Sequence, residues 1–499
     1  MSPVATGAPS RLRPFPSGPA LLSIALAGIL LSACVSTPAR QPDTRLPVQY
    51  EAPAGPALAS AGLERWWTVF GDADLNALID TALARSPDAR AATAALGEAR
   101  AVRQGQFRQL YIPSAPLTGS ASRTRTRVID QSGQGGFTQE GDSEQYGLNL
   151  DVSWELDVLG RRRAARGVID NDQAAARFAY EGARAALAAN VAQSYFEARG
   201  LAVQLEDARE SVRIATTLSD LSAKRGERGL SATSEADRTA ADLSQAQAQV
   251  EDLTAQLGVA RRTLLILVGR AIDPIDSLRV PAALAQAPAV PVSLPGDLLA
   301  RRPDVREAQA RFASSTANLR VTELALFPTF TLTPGVGLSK SVAPSFSVPG
   351  STVSTVSSAW TLGAGLSVPL FNIPKLLSDI DAQDARVEQA AIAYEKAVQT
   401  AYGEAENALL RLGADQRRTT LLAAGEARAQ SAYAANHKGY VAGLTDLTST
   451  LQAEQAWRAS RSALTGARTQ ALLRAVQAYK ALGGGWSPDT VQSPPKASS

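Results

Sequence analysis

The chain has 499 residues, 45% of them hydrophobic and 19% charged, with 50 basic residues set against 47 acidic ones. A formal charge of +3, spread along the whole length, excludes the concentrated basic surface that a nucleic-acid partner needs. A single cysteine rules out an internal disulfide framework. A single histidine, with no H-E-x-x-H, C-x-x-C or P-loop pattern, leaves no Cys/His nucleophile pair and no motif-borne metal or nucleotide site, so neither an enzyme nor a cofactor is expected.

At the N-terminus, Arg11 and Arg13 precede the apolar run Ala20 to Leu31, which closes in Leu31-Ser32-Ala33-Cys34. A basic head, a short apolar core and a small residue before the cleavage point make residues 1–33 a secretory signal. The ending resembles the lipobox of bacterial lipoproteins, which implies that Cys34 becomes the lipidated first residue of the mature chain. Val35 follows where aspartate would favour the inner membrane, so the expectation is an outer-membrane, lipid-anchored protein with a lipidated extension over 34–62. Beyond the leader no apolar run of about 18 residues occurs, so any membrane crossing must use strands.

The rest of the chain is written twice. Leu83-Ala84-Arg85-Ser86-Pro87-Asp88-Ala89-Arg90 returns 216 positions later as Leu299-Ala300-Arg301-Arg302-Pro303-Asp304-Val305-Arg306. Tyr111-Ile112-Pro113-Ser114 matches Leu326-Phe327-Pro328-Thr329. Gly229-Leu230-Ser231 matches Gly443-Leu444-Thr445, and Leu267-Val268-Gly269 matches Ala481-Leu482-Gly483, with the offset drifting only to 214. Near-constant self-similarity marks a duplicated unit. The expected repeats are 63–272 and 296–486, joined by a Pro-rich linker over 273–295 and followed by a disordered tail, 487–499.

Each half reads helix, strand pair, very long helix, tight turn, helix. Ala-rich stretches predict helices over Asp72 to Gln109 and Pro295 to Leu326. Arg161 to Arg225 and Leu376 to Lys438 predict helices of about 64 residues, roughly 95 Å at 1.5 Å per residue. Such rods need neighbours alongside, and alanine lets neighbours approach closely.

Between the helices the period changes to two. Tyr146, Leu148, Leu150, Val152 and Trp154 alternate with small polar residues, as do Trp360, Leu362, Ala364, Leu366, Val368 and Leu370. Phe330, Leu332, Val336 and Leu338 repeat the pattern around Pro334, and a weaker Ser/Thr-rich strand runs from Leu117 to Val128. About ten residues of such alternation suit a transmembrane β-barrel strand, though a soluble antiparallel sheet with one buried face shows the same pattern. Four strands cannot close a barrel in lipid, whereas three copies supply twelve. Segments 130–144 and 341–358 are the expected surface loops.

Taken together, these features resemble the TolC-like outer-membrane factor family, in its lipoprotein (NodT- and OprM-like) branch. The matching residues are the lipobox, Asp157-Val158-Leu159-Gly160-Arg161, Pro369-Leu370-Phe371-Asn372, Tyr440-Val441-Ala442-Gly443-Leu444-Thr445 and Ala481-Leu482-Gly483-Gly484-Gly485-Trp486. The resemblance implies a homotrimer whose 12-stranded barrel crosses the outer membrane and continues into a long periplasmic α-helical barrel. It implies a passive exit duct, docked onto a periplasmic adaptor and an inner-membrane pump, most often of the resistance-nodulation-division type, that expels drugs or other small toxic compounds. Protein secretion or signal-molecule export is the alternative.

By the same resemblance, Gly229, Leu230, Ser231, Gly443, Leu444 and Thr445 form the periplasmic turns that meet the adaptor. The family's acidic ring would fall on Ser449 and Gln452, where this chain has no acid. Glu235, Asp237 and Asp446 are the nearby carboxylates able to stand in, focusing cations toward an axis. Helix N-terminal acids favoured by the macrodipole are the plainer account of the same residues. Glu206-Asp207 and Glu404 with Glu406 read as solvated, salt-bridging helix positions, and His437 as a solvated or tip-contact residue.

Overall fold

A computed structural model of the chain describes residues 41–52, 63–127, 140–229, 232–290, 294–344 and 351–487. The leader, Cys34 and the tip residues Leu230 and Ser231 lie outside the described residues.

The first half runs α1 (Ala73–Arg85), α2 (Pro87–Tyr111), β1 (Leu117–Arg127), β2 (Glu140–Asp151), β3 (Trp154–Leu156), α3 (Arg161–Glu227) and α4 (Thr233–Leu267). The second runs α5 (Leu298–Arg301), α6 (Pro303–Glu323), β4 (Thr329–Pro344), β5 (Thr352–Ser367), α7 (Ile373–Val441) and α8 (Leu447–Ala481). The single helix expected over 72–109 is therefore two, and the stretch 295–326 breaks in the same way. Proline pushes its predecessor out of the helical region: Ser86 sits at ψ 138° and Arg302 at ψ 120°, and Pro87 and Pro303 each open a new helix.

Helices α3 and α7, of 67 and 69 residues, each reach about 100 Å. Alanine carries their packing: Ala185, Ala188, Ala189, Ala192, Ala198 and Ala202 are all buried on α3. The main core lies where the two halves meet, around Trp66, Tyr195, Leu264 and Tyr479. There Trp66 stacks on Tyr479 with ring centroids 5.6 Å apart. Asp72, which caps α1 through the Leu75 amide, also accepts from the Tyr195 hydroxyl at 3.1 Å and pairs with Arg199 on α3. Part of the linker joins this core, with Leu278, Val280 and Val290 buried.

The sheet runs β1-β2-β4-β5, antiparallel throughout. Asp151 opposite Gly335 and Trp154 opposite Leu332 share one register, so β3 continues β2. Between them Val152 donates its amide to the Pro334 carbonyl at 2.9 Å, but Pro334 has no N–H to return. The strands climb higher than expected, and residues 140–144, 341–344 and 352–358 belong to them rather than to loops. For β1 and β2 the reason is electrostatic, since Arg123 lies across from Glu144 and pairs with Asp142 at 2.6 Å. The uncharged ends of β4 and β5 simply continue their ladder to Pro344 opposite Thr352. At the other end Val368 and Leu370, expected within the fourth strand, lie past the end of β5.

Candidate functional site: channel wall and helical tips

One face of the sheet is apolar and bare. Leu117, Leu150, Val336 and Trp360 form a continuous row across all four strands, with Leu117 65% and Trp360 77% exposed. Below it come the rows Trp154–Leu332–Ala364 and Leu156–Phe330–Leu366; above it Tyr146 lies between Ala121 and Lys340. Aromatic residues thus bound the apolar rows at both levels. Ten residues from Tyr146 to Leu156, at about 3.3 Å each and a tilt near 40°, give a band about 25 Å tall, the height of a barrel's lipid face.

The opposite face carries Thr118, Asn149, Gly337 and Ala359 in one row and Ser120, Gly147, Ser339 and Ser357 in the next. The hydroxyls of Ser339 and Ser357 are 2.8 Å apart. This polar wall separates the two readings left open by alternation, because a soluble sheet buries its apolar face and keeps its polar one wet. Here the large apolar side chains are the ones exposed. No helix among the described residues is long and apolar enough to cross a membrane. The edge strands β1 and β5 each have one unpaired side and run in opposite directions, so β5 of one copy can pair antiparallel with β1 of the next.

At the far end of the long helices the two tips differ. Gly229 turns at φ +69° and Gly443 at φ +77°. Leu444 donates its amide back to the Gly439 carbonyl at 2.8 Å, closing a Schellman-type end, and its side chain is 83% exposed. Thr445 donates to the Asn436 carbonyl at 3.0 Å. Asp446 is the N-cap of α8: it accepts from the Ser449 amide at 2.7 Å and the Ser449 hydroxyl at 2.8 Å. These bonds hold its carboxyl below the usual range, the amide first. The first tip has no such cap, since Ala232 precedes α4. Glu235 lies in the first turn of α4, half-exposed, and Asp237 follows it, exposed.

Two carboxylates behave differently from the solvated positions expected. Glu406 is buried and accepts the amides of Glu51 at 3.1 Å and Ala52 at 2.7 Å. Asp207 is half-buried against Arg461 at 2.5 Å, and burial pushes its carboxyl up. Glu404 pairs with the buried Arg302 at 2.7 Å, while Glu206 stays exposed opposite Arg209. His437 packs against the Tyr433 ring at 5.7 Å. Sequence reasoning missed Glu454 altogether: it is buried on α8, 3.4 Å from Arg458, and burial with the nearby Asp242 charge pushes its carboxyl up. The Glu454–Arg458 spacing of four was the only sequence signal for it.

The comparisons with known proteins agree with this geometry. The model of the outer membrane efflux protein family matches residues 78–270 and 294–484. The chain is 29% identical over 478 residues to the pyoverdine export outer membrane protein OpmQ of Pseudomonas aeruginosa, covering 94% of this chain and 97% of that one. It is also 29% identical to the probable efflux pump outer membrane protein TtgC of Pseudomonas putida, covering 96% and 98%. The solved outer-membrane channel OprN superposes with a TM-score of 0.78 at 28% identity, covering 91% and 99%. The Campylobacter jejuni CmeC outer membrane channel shares the fold, with a TM-score of 0.77 at 21% identity over 90% and 95% of the two chains. Matched across both strand pairs and both long helices, the chain belongs to the outer membrane efflux protein family.

Proposed function

We propose that three copies of this chain pool their sheets into one 12-stranded barrel across the outer membrane. The barrel continues into an α-helical tunnel that reaches into the periplasm, forming the passive exit duct of a tripartite efflux system. The observation that carries this reading is the bare apolar face about 25 Å tall, flanked by two open edges of opposite direction, since lipid tolerates no unpaired strand edge. The polar inner face, small and rich in hydroxyls, suits a water-filled passage rather than a tight binding site.

In this reading Cys34 carries a lipid anchor, and the tips at Gly229–Ser231 and Gly443–Thr445 meet a periplasmic adaptor that links the duct to an inner-membrane pump. The relatives named for antibiotic, toluene and pyoverdine export support small molecules as cargo. Drugs or other toxic compounds driven by a resistance-nodulation-division pump come first. Export of another kind of small molecule comes second, on the strength of the relative named for pyoverdine export. Glu235 and Asp237 are the gate acids of this proposal; Asp446 contributes through its cap. Energy comes from the pump, and the duct performs no chemistry.

Single-channel recording of the purified protein in a planar lipid bilayer tests the duct. A trimer giving discrete, reproducible conductance steps is expected. A protein that stays monomeric and gives no steps overturns the reading.

A further inference from the structure

Just past the last lipid-facing row, the two halves of the duplication diverge. In the first, Val158 and Leu159 lead into Arg161, Arg162 and Arg163 at the start of α3; in the second, Leu370 and Phe371 stand at the equivalent level, Phe371 98% exposed. Beside the three arginines opens a cleft of about 860 Å³, lined by Arg108, Pro113, Trp154, Arg161 and Arg162. The Arg162 guanidinium lies over the Trp154 ring, 6.0 Å from its centroid, and donates to the Glu155 carbonyl. Arg161 is only loosely paired, 3.8 Å from Glu155. Arg108 is exposed and makes no ion pair among the described residues. Against the three arginines that line the cleft stands Glu155, and the nearby Asp157 already accepts the Arg162 amide at 3.2 Å.

We infer that this cleft binds the phosphate of an anionic glycerophospholipid in the membrane's inner leaflet. The inference rests on the channel reading, which places the Trp154 row at the membrane boundary. Guanidinium forks match phosphate oxygens in pairs, and a cation held over an indole is oriented before the ligand arrives. The acyl chains continue upward along the bare apolar rows, so charge and apolar surface meet where a lipid's own headgroup and tails meet. The occupant is therefore amphiphilic, and its excess negative charge balances Arg108 and the loosely paired Arg161.

The test uses the full-length trimer, purified in neutral detergent and titrated with dioleoylphosphatidylglycerol or dioleoylphosphatidylcholine, bound lipids being counted by native mass spectrometry. Wild type is expected to retain phosphatidylglycerol in preference to phosphatidylcholine. The variant Arg108→Gln/Arg161→Gln should weaken that retention about thirty-fold, at about fivefold per arginine, with trimer and conductance steps unchanged. Arg123→Gln, on the opposite rim, should change nothing. If the double variant does not assemble, Arg108→Gln alone carries the test at about fivefold. Equal retention of the two lipids by wild type, undiminished retention by the variant, or displacement by equimolar inorganic phosphate overturns the lipid site. A wild-type protein without trimers or conductance steps overturns the channel reading instead.

Discussion

A Cβ placed on Gly483 would lie 2.7 Å from the carbonyl oxygen of Arg301, and one on Gly269 would lie 2.8 Å from that of Arg85. The two contacts are the same joint built twice. In each half the lower helix ends on a left-handed glycine, φ +78° at Gly483 and φ +76° at Gly269, pressed against the residues that lead into the upper helix. The Arg301 carbonyl also accepts the Trp486 indole N–H at 2.7 Å, so it has little freedom to retreat.

Gly483→Ala therefore combines two costs, left-handed strain of about 1–2 kcal/mol and displacement of a bonded carbonyl. Gly443→Ala at the tip, at φ +77° with nothing within 4 Å, meets the strain alone. Thermal unfolding followed by circular dichroism should show Gly483→Ala and Gly269→Ala lowering the midpoint well beyond Gly443→Ala. Equal shifts in all three would mean the close approach has no energetic weight.

Leu150 sits in the row that crosses all four strands, on the bare face. Leu150→Arg should cost about 2–4 kcal/mol near the membrane midplane and lower trimer yield. Ser122, opposite Gln145 on the polar wall, provides the contrast. Ser122→Lys should leave the yield intact and depress single-channel cation current. A normal yield of Leu150→Arg would show that this face looks inward.

Much of this architecture was legible because duplication and period are local properties of a sequence. Gly229 and Gly443 marked the tips and alternation around Leu148 and Leu362 marked the strands, each from residues a few positions apart. What escaped depends on distant partners or on a change of environment along one strand. Residues 140–144 looked like loop because the strand leaves the apolar band there, and its polar side chains find Arg123 across the sheet. Glu406 looked solvated, and Glu454 drew no notice, because nothing in their own helices tells that the chain near Ala52, or the face near Asp242, covers them. The breaks at Ser86 and Arg302 were signalled by the following prolines, yet alanine richness outweighed them.

Opposite pKa shifts at the second tip predict a stability maximum in mild acid. Glu454, its carboxyl raised mainly by burial, disfavours the folded tip when charged. Protonation therefore stabilises as pH falls from its raised value toward about 4.3, the unfolded value. Asp446, its carboxyl lowered by the Ser449 amide, contributes stability above about 3.9 that is lost as pH falls through its depressed value. Glu454→Gln should raise the unfolding midpoint at neutral pH and flatten the profile above about 4.3. The protection factor of the Ser449 amide, taken against its intrinsic exchange rate at each pH, should fall on further acidification in wild type. A neutral-pH midpoint unchanged by Glu454→Gln would mean that Arg458 fully compensates the buried charge.

The segment from Asp43 to Ala52, the described stretch nearest Cys34, is strapped along α7 by two carboxylates. Glu395 accepts the Asp43 amide at 2.8 Å, and the buried Glu406 accepts the amides of Glu51 and Ala52, with Tyr50 stacked on Tyr402 at 5.9 Å. Backbone donors that lose a buried carboxylate keep their desolvation penalty, about 1–3 kcal/mol. Glu406→Ala should thus release the strap while the trimer persists, because the long helices and the sheet make no use of this contact. Limited proteolysis should cut the variant between Asp43 and Ala52 faster than wild type, and Glu406→Gln, which keeps one acceptor, should fall between them. Cleavage rates identical in all three would show that Leu46 and Tyr50, packed against α7, hold the strap without the carboxylate.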